Sequence, residues 1–296
     1  MINVSVIGAG VLGEALIERL LNCGFSVSAY NRTKHKLEKL ILKGVRPIES
    51  LDKAFVCEQK IWILCLRDEK SIREVFSCEK IIEALKLNKF LIINTSTIGP
   101  KGSAKLEGFF KEFNVEYIEL PVSGGIEGAL SGQLVGYIGN YPKYLRREFD
   151  FVLRALLKGH CLMQSNQAAQ AMKVVNNYCE SINLVVAAEA LLLAETYGIS
   201  KEVIGGSLGL GRGRSVYLEL LLERYMSMKC CISVPLEIRI KDLELAGELF
   251  HELSIKSRFY DDALELYKKT LCSSSLALDQ MDCFAFLSSS VKRGAR

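Results

Sequence analysis

The sequence predicts an α/β protein with a doubly wound parallel sheet in its first part and an all-helical C-terminal domain in its second part. An apolar, β-branched run over residues 2–7 leads into a glycine-rich turn and an amphipathic stretch over 11–21, which is the order strand, turn, helix. Strand-like and helix-like segments then alternate to about residue 120, as in a parallel sheet covered on both faces. From His160 to Tyr197 the chain has no glycine and no proline, and its apolar residues recur at helical spacing.

These segments indicate a domain boundary near residue 162. With 296 residues the chain is long enough for two domains, which we assign to 1–162 and 163–296. In the first domain we expect one helix over Asp68–Leu85. We also expect Gln133–Ile138 and a short run near His160 to add strands at the far edge of the same sheet.

The helical segment after the boundary is long enough to form the spine of the second domain. It is apolar over more than one face around Val185–Ala194, where an exposed helix would show a narrower apolar stripe. We therefore expect a second copy of the chain to share this surface, in a homodimer or a homotetramer.

The composition argues against several classes of partner. Apolar residues make up 49% of the chain, the net charge is +4, and no basic run is interleaved with aromatics, so no nucleic-acid partner is expected. The ten cysteines form no C-x-x-C pair and the three histidines are scattered, which argues against a zinc site and for reduced thiols.

The longest apolar stretch, Leu184–Ala194, contains Glu189 and is too short for a membrane span. Because a strand that begins at residue 2 leaves no room for a signal peptide, we expect a soluble cytoplasmic protein.

The glycines of the first turn, Gly8, Gly10 and Gly13, have the spacing G-x-G-x-x-G between a strand and a helix. In this Rossmann arrangement the first glycine allows the turn, the second lets a pyrophosphate approach the backbone, and the third lets helix and strand pack closely. The N–H groups at the helix start, where Val11 and Leu12 lie, would face the phosphates. A plain tight turn is the alternative, but the strand and helix around it favour a dinucleotide site.

The segment after the second predicted strand indicates which dinucleotide binds. Asn31, Arg32 and Thr33 follow that strand, and no acidic residue lies between Arg19 and Glu38. Enzymes that prefer NAD usually carry Asp or Glu here for the ribose 2′-hydroxyl, whereas a 2′-phosphate requires a planar cation and neutral donors. We therefore predict NADP(H) in preference to NAD, the alternative being a solvated turn with scattered basic residues.

Two loops carry small polar residues where predicted strands end. Ser96 and Thr97 follow the fourth predicted strand, and Ser123 with Gly124 and Gly125 follows the fifth. Because ligands of open parallel sheets bind beyond the carboxyl ends of the strands, Ser96 and Thr97 are well placed to touch the nicotinamide or its ribose. Ser123 and the N–H groups of the two glycines are suited to a carboxylate. Either loop alone would also be ordinary loop chemistry.

The long helical segment carries a polar patch near its beginning. Residues three and four positions apart share a helix face, and here they are Gln170, Lys173, Asn176 and Asn177. An exposed polar strip with a snorkelling lysine is the alternative. A functional Lys173 is favoured because Met172, Val174 and Val175 look buried on both flanks. Desolvation would lower the pKa of the lysine toward neutrality, where it can give and take a proton.

Together these segments resemble one family. The glycine triplet, Asn-Arg-Thr, Ser-Thr-Ile-x-Pro, Pro-Val-Ser-Gly-Gly, Lys-x-x-Asn-Asn and Lys-Asp-Leu occur in a fixed order between residue 1 and about residue 290. The chain resembles the β-hydroxyacid dehydrogenases, which include 3-hydroxyisobutyrate dehydrogenase and the tartronate and succinic semialdehyde reductases.

The resemblance implies roles for individual residues. Lys173 would be the catalytic acid/base and Asn177 a substrate ligand, while Ser123, Gly124 and Gly125 would anchor a small carboxylate or semialdehyde substrate. The residues implied to contact the cofactor are Cys65, Leu66, Thr97 and Lys241. On this basis 1–162 would bind NADP, and 163–296 would serve the substrate and dimerisation.

The chain departs from the family pattern at two places. The family usually has Gly-x-Gly ahead of the catalytic helix, where this chain has Gln167 and Ala169, and Met-Leu-Pro after the third strand, where it has Cys65-Leu66-Arg67. These differences allow a substrate pocket of another shape. In addition, the glycine- and arginine-rich segment Gly205–Ser215 either binds an anion or forms a flexible interhelical loop, and we favour the loop.

The leading functional hypothesis is an NADP-dependent oxidoreductase that interconverts a small 3-hydroxy acid and its semialdehyde, with Lys173 as acid/base. An imine reductase of the same fold is one alternative, which the lysine disfavours because imine-reducing relatives lack it. A catalytically idle, nucleotide-binding regulatory protein is the other, against which Lys173 and Asn177 both argue.

Overall fold

The computed structural model describes residues 2–56, 60–113, 115–227, 233–273 and 279–294. The chain divides into two compact units, Met1–Lys173 and Val174–Arg296. The domain boundary expected near residue 162 stays a prediction.

The first unit is built on a six-stranded parallel sheet. Its strands are β1 (Asn3–Ile7), β2 (Ser26–Tyr30), β3 (Arg46–Pro47), β4 (Ile61–Leu64), β5 (Phe90–Asn94) and β6 (Val115–Glu119). They lie in the order β3-β2-β1-β4-β5-β6, and every pair is parallel. The direction of strand addition therefore reverses between β1 and β4, which is the switch point where doubly wound sheets bind ligands.

The carboxyl ends of the five longer strands lie in register. Ile7 pairs with Tyr30 on one side and with Leu64 on the other. Leu64 pairs with Asn94, and Asn94 pairs with Glu119. The residues that follow these five positions therefore share one edge of the sheet, and this edge holds most of the residues predicted to be functional.

Helices cover both faces of the sheet. They are α1 (Val11–Asn22), α2 (Glu38–Leu42), α3 (Leu51–Val56), α4 (Glu69–Val75), α5 (Glu79–Leu87), α6 (Gly99–Lys111), α7 (Gly125–Ser131) and α8 (Arg146–Leu156), with a 3-10 helix over Lys34–Leu37. One core joins the sheet to α1 and α8 through Leu16, Leu20 and Phe149. The other core is rich in aromatics, with Phe55 stacked on Trp62 at 3.9 Å between ring centroids. Because both faces are covered, β4 and β5 are buried at every position.

The prediction of one helix over Asp68–Leu85 is wrong, because this segment forms two helices, α4 and α5. Asp68 starts α4 by accepting a hydrogen bond from the backbone N–H of Ser71 at 2.8 Å. Phe76 is the C-cap of α4: its N–H donates to the carbonyl of Arg73 at 3.1 Å, and its buried ring packs edge-on against Phe110 at 4.9 Å between centroids. The backbone at Cys78 is extended before α5 begins.

The strands expected to extend the main sheet form a second sheet instead. It consists of β7 (Val122–Ser123), β8 (Leu134–Ile138) and β9 (Leu157–Leu162), with β7 antiparallel and β9 parallel to β8. Pro121 separates β6 from β7 and has no N–H, so one continuous ladder cannot run through it. The two sheets are nevertheless linked, because the N–H groups of Tyr137 and Gly139 donate to the carbonyls of Pro121 and Glu119.

The second unit is helical in its described part. The long α9 (Asn166–Thr196) begins in the first unit and continues into the second, followed by α10 (Lys201–Leu210), α11 (Val216–Ser227), α12 (Leu236–Glu252), α13 (Tyr260–Ser273) and α14 (Asp282–Gly294). Its core contains Leu184, Leu191, Leu243 and Tyr267, all fully buried. These observations confirm the predicted fold class. No helix in the described ranges is long and apolar enough to cross a membrane.

The middle of α9 is apolar on more than one face, as expected. Leu184, Ala188 and Leu191 are buried in the core of the second unit. Val186 and Leu193, seven residues apart, are instead exposed, with Leu193 at 74%. Because a spacing of seven corresponds to two helical turns, these two side chains lie on one outer face of the helix.

Candidate functional site

The glycine turn between β1 and α1 has the backbone that its sequence predicts. Gly8 has a φ of +105°, and a Cβ there would lie 2.1 Å from the carbonyl oxygen of Cys65 on β4's exit. A Cβ on Gly13 would lie 2.1 Å from the carbonyl oxygen of Gly8. Both positions therefore require glycine, because the packing of helix against strand leaves no space for a methyl group.

Gly10 differs from these two glycines, because the packing of the protein itself leaves space for a side chain there. Among the described residues, no atom lies within 4 Å of a Cβ built on Gly10. The start of α1 has no side-chain cap, and Val11, the first helical residue, is exposed. An open backbone surface at an uncapped helix N-terminus fits the pyrophosphate of a dinucleotide, which accepts hydrogen bonds from such N–H groups.

Asn31 joins the glycine turn to the exit of β2. Its Oδ1 accepts a hydrogen bond from the N–H of Ala9 at 3.0 Å, and its Nδ2 donates to the carbonyl of Thr33 at 2.8 Å. Arg32 lies between them with its side chain 91% exposed, and its contact with Glu74 is a long surface ion pair of 3.9 Å. Such a pair contributes little energy, so the guanidinium is available to a phosphate.

Cys65 and Leu66 form the exit of β4 beside the glycine turn. The N–H of Cys65 donates to the carbonyl of Ile7 at 2.9 Å, and that of Leu66 donates to Oγ of Ser96 at 2.9 Å. Burial raises the pKa of the Cys65 thiol to about 11. The thiol therefore stays protonated near neutral pH and is not a nucleophile.

The exits of β5 and β6 hold the other predicted loop residues. Ser96 is buried and Thr97 half-buried at the exit of β5. Ser123 is half-buried, and Gly124 and Gly125 are exposed with φ of +133° and +68°. Both glycines have positive φ, and they are the N-cap and the first residue of α7, which has no side-chain cap, so their backbone is accessible to an anionic group.

Lys173 is buried in α9, with only 8% of its surface exposed. The expectation that residues on both flanks are buried is correct for Val174 and wrong for Met172 and Val175, which are 37% and 48% exposed. The helical rotation between adjacent positions explains the difference, because each of these neighbours points away from the direction of Lys173. Lys173 and Val174 therefore lie on a buried face of α9, whereas Met172 and Val175 lie on an exposed face.

Sequence reasoning missed a buried carboxyl group at the end of β6. Glu119 is fully buried, and its Oε2 accepts hydrogen bonds from Asn94 at 2.9 Å and Gln170 at 2.7 Å. Its Oε1 accepts from the hydroxyl of Tyr117 at 2.5 Å. Burial raises the pKa of the carboxyl to about 7, although the hydrogen bonds oppose this shift. Because β6 carries a second glutamate, Glu116, the sequence contains no signal that distinguishes Glu119 as the buried one.

Gln170 lies one helical turn before Lys173 and is also fully buried. Besides Glu119, its Nε2 donates to the carbonyl of Ser96 at 2.8 Å. Its Oε1 accepts from the N–H groups of Ile98 and Gly99 at 2.9 and 3.1 Å, which are at the start of α6. The polar patch predicted on α9 therefore does not act as one group, because the side-chain amide of Gln170 is hydrogen-bonded to the backbone of residues 96, 98 and 99.

The positions that depart from the family pattern are occupied by ordered residues. Nε2 of Gln167 donates to Glu107 on α6 at 2.5 Å, and Ala169 is fully buried. The preceding Asn166 accepts a hydrogen bond from the N–H of Glu119 at 3.1 Å. The first turn of α9 is therefore attached to α6 and β6 by polar side chains.

The second unit contains the remaining predicted ligands, Asn177 and Lys241. Nδ2 of Asn177 donates to Oδ2 of Asp242 at 2.7 Å, and Nζ of Lys241 lies 2.7 Å from Oδ1 of the same carboxylate. The buried Arg239 donates to the backbone carbonyl of Asn177 at 3.1 Å and pairs with Glu180 at 2.9 Å. Asp242 therefore joins the two predicted residues, a role that sequence reasoning did not assign.

The segment Gly205–Ser215 is not a loop throughout, and this expectation is partly wrong. Residues 205–210 belong to α10, and only 211–215 connect it to α11.

Of the ten cysteines, Cys57, Cys230 and Cys231 lie outside the described residues, and the seven others are free thiols. Within the described ranges, no cluster of three His, Cys, Asp or Glu side chains is arranged to hold a metal.

Comparison with known proteins agrees with this geometry. A family model for the NAD-binding domain of 6-phosphogluconate dehydrogenase matches residues 3–155, and one described as NAD-binding of NADP-dependent 3-hydroxyisobutyrate dehydrogenase matches residues 167–287. The 2-(hydroxymethyl)glutarate dehydrogenase of Eubacterium barkeri is 26% identical over 249 residues, covering 83% of this chain and 82% of that protein. The structure of Psf3 in complex with NADP+ and 2-OPP is similar with a TM-score of 0.89 at 26% identity, over 96% of this chain and 100% of Psf3. Mycobacterium tuberculosis 3-hydroxyisobutyrate dehydrogenase with L-serine shares the fold, with a TM-score of 0.81 at 21% identity over 97% and 99% of the two chains.

Proposed function

Because the chain belongs to the β-hydroxyacid dehydrogenase family, a group of NAD(P)-dependent oxidoreductases that act on CH–OH groups, we propose that it interconverts a small 3-hydroxy acid and its semialdehyde. The observation that carries the proposal is Lys173, a buried lysine on the helix that follows the dinucleotide-binding domain. Proton transfer to and from the substrate oxygen is a step that the family chemistry requires, and a lysine side chain on this helix supports it.

NADP(H) is the proposed cofactor, in preference to NAD. The glycine turn with Val11 and Leu12 would hold the pyrophosphate, and the exposed guanidinium of Arg32 would pair with the 2′-phosphate. Asn31 and Thr33 would add neutral hydrogen-bonding groups at the same place. The first residues after β2 contain no carboxylate that would repel the phosphate.

The remaining cofactor contacts are proposed on the resemblance. Cys65 and Leu66 at the exit of β4 and Thr97 at the exit of β5 lie at the edge of the sheet where such ligands bind. The resemblance implies the same role for Lys241. When bound, the cofactor supplies or accepts the hydride.

Lys173 would handle the proton in the same reaction. In the direction of reduction its ammonium group would donate a proton to the carbonyl oxygen of the semialdehyde. In the direction of oxidation the neutral amine would remove the proton from the hydroxyl group of the 3-hydroxy acid. Ser123 and the N–H groups of Gly124 and Gly125 would bind the substrate carboxylate, and Asn177, whose amide is oriented by Asp242, would be a further substrate ligand.

Self-association is a further part of the proposal. Val186 and Leu193 expose apolar surface on one outer face of α9, and covering it with the same face of a second copy gives a two-fold dimer. A homotetramer would be built from two such dimers. The cytoplasmic location stays a prediction.

An assay of cofactor turnover tests the proposed reaction. The purified chain is mixed with NADPH and a panel of small semialdehydes that carry a carboxylate, and separately with NADP+ and the matching 3-hydroxy acids. We expect turnover with at least one pair in both directions. Turnover of cyclic imines with none of the aldehydes would identify an imine reductase, and binding of NADPH without any turnover would identify a regulatory protein.

A further inference from the structure

The fold brings a carboxylate to the segment after β2, where the sequence has none. Glu74 lies in the last turn of α4, the helix that follows β4. Its Oε2 is 3.9 Å from Nη1 of Arg32. Arg32 therefore has an acidic neighbour in space, although no acidic residue lies between Arg19 and Glu38 in the sequence.

This contact lies beside the proposed binding place of the dinucleotide. In the sheet β1 lies between β2 and β4, so the elements that follow β2 and β4 stand on either side of the glycine turn that follows β1. Asn31, which precedes Arg32, accepts a hydrogen bond from the N–H of Ala9 in that turn. Arg32 and Glu74 therefore approach each other from the two sides of the crevice where doubly wound sheets bind dinucleotides.

The contact between Arg32 and Glu74 is weak enough to be replaced by a contact with a ligand. Both side chains are largely exposed, at 91% and 55%, and their separation of 3.9 Å exceeds the length of a hydrogen bond. Water and salt screen such a pair strongly. Lys34, by contrast, is held by Glu49 at 2.8 Å. Of these two cations after β2, Arg32 is therefore the one whose carboxylate partner a phosphate can more easily displace.

The two dinucleotides differ at the position that Arg32 is proposed to bind. NADPH carries a 2′-phosphate there, which a guanidinium attracts and a carboxylate repels. NADH carries a 2′-hydroxyl, which donates a hydrogen bond to a carboxylate in enzymes that prefer NAD. A carboxylate beside Arg32 therefore opposes the binding of NADPH and does not oppose the binding of NADH.

We propose that Glu74 is a specificity-determining residue, which competes with the 2′-phosphate for the guanidinium of Arg32 and so keeps the preference for NADPH smaller than Arg32 alone would make it. The inference rests on the proposed function, because Arg32 receives its role there. It concerns the ratio of two binding affinities, so its test requires no substrate. Glu74→Gln removes the charge and retains the length of the side chain, and it should therefore increase the preference for NADPH.

Fluorescence titration with NADPH and with NADH tests the inference. The two dissociation constants are measured for the native chain and for Glu74→Gln at low salt. We expect Glu74→Gln to bind NADPH about fivefold or more tightly, because a negative charge is removed from beside the phosphate, and to bind NADH no more tightly than the native chain does. The gain should shrink at high salt, where exposed charges are screened. A ratio of the two constants within about twofold of the native ratio would overturn the inference.

Two further variants separate competition for Arg32 from a general effect of net charge. In the Arg32→Ala background, Glu74→Gln should change the ratio by less than about twofold, because the group for which the carboxylate competes is absent. Glu18→Gln is the matched control, since it removes the same charge from a surface pair with Lys43 at 2.7 Å, about two turns from the start of α1. It should leave the ratio unchanged. A full effect of Glu74→Gln without Arg32, or an equal effect of Glu18→Gln, would contradict the inference.

The same titrations distinguish a failure of this inference from a failure of the proposed cofactor preference. If Arg32→Ala weakens the binding of NADPH but Glu74→Gln leaves the ratio unchanged, the proposed preference stands and only the inference fails. If the native chain binds both dinucleotides equally and Glu74→Gln prefers NADPH, the inference stands and the proposed preference of the native chain fails. If Arg32→Ala leaves the ratio unchanged, the role of Arg32 is wrong and the inference fails with it.

Discussion

The backbone N–H of Ala9 donates a hydrogen bond to Oδ1 of Asn31, with 3.0 Å between nitrogen and oxygen. This contact fixes the glycine turn to the exit of β2. Because Asn31 also bonds to the carbonyl of Thr33, the backbone around Arg32 has a defined course although the side chain is exposed. The element proposed to bind pyrophosphate and the element proposed to select the dinucleotide are therefore held together.

The first prediction concerns the choice of dinucleotide. Arg32→Ala should raise the Michaelis constant for NADPH by about tenfold or more and leave that for NADH nearly unchanged, because it removes a charge-assisted contact to the 2′-phosphate. Lys36→Ala, which removes an exposed positive charge from the adjacent 3-10 helix, is the matched control and should change either constant little. Equal use of NADPH and NADH by the unmodified chain would contradict the prediction.

The second prediction separates the roles of two glycines in the same turn. Gly13→Ala should lower the free energy of unfolding by about 1–3 kcal/mol or more, because its Cβ would overlap the carbonyl oxygen of Gly8. Gly10→Ala should unfold at nearly the native denaturant concentration but bind NADPH much more weakly, because its methyl group would occupy the proposed place of the pyrophosphate. Urea unfolding and fluorescence titration with NADPH measure the two effects, and native affinity in Gly10→Ala would place the pyrophosphate elsewhere.

The strand ends could be predicted from the sequence because local signals specify them. Apolar β-branched runs, the glycine turn and the residues after each run are features of consecutive residues. The separation of α4 from α5 could not be predicted in the same way, since residues 76–78 contain no glycine or proline that would mark the end of a helix. The second sheet was missed for another reason, because the effect of Pro121 depends on which strand would have lain beside it.

Residues of the candidate site could likewise be predicted only where their signals lie in consecutive residues of the sequence. Gly8, Gly13 and Lys173 stand in patterns that can be recognised along the chain, and they lie on the turn and the helix that those patterns predict. Glu119 has partners 25 and 51 residues away in Asn94 and Gln170, so its environment exists only in the folded protein. A single carboxyl group at a strand end gives no indication in the sequence of whether it is solvated or buried.

The third prediction follows from the raised pKa of Glu119. The folded protein binds the carboxyl proton more tightly than the unfolded chain, so this group stabilises the fold below about pH 4.5 relative to higher pH, and that contribution is lost as the pH rises through about 7. The loss is on the order of 3 kcal/mol. Between pH 5 and pH 8 the stability of the native chain should therefore decrease relative to that of Glu119→Gln. Parallel urea-unfolding curves at these pH values measure the difference, and a constant difference between the two proteins would contradict the raised pKa.

The fourth prediction concerns the exposed apolar face of α9. Light scattering at micromolar concentration should give at least twice the chain mass of 33.0 kDa. Leu193→Glu should reduce the mass toward that of a single chain without loss of helical content, because Leu193 is exposed and outside the core of its unit. Leu253→Glu, at another exposed leucine just after α12, is the control and should leave the mass unchanged. A monodisperse single chain would show that this face has no partner copy.

The role of Lys173 is tested most directly by measuring turnover and cofactor binding in the same variant. On a substrate that the native enzyme uses well, Lys173→Ala should reduce kcat by about a hundredfold or more, while the dissociation constant for NADPH stays near its native value. Lys173→Arg should be nearly as inactive, because a guanidinium retains the charge but does not release a proton near neutral pH. Turnover within a few-fold of native in Lys173→Ala would contradict the proposed mechanism and assign the proton to another donor, such as a water molecule held by Ser123.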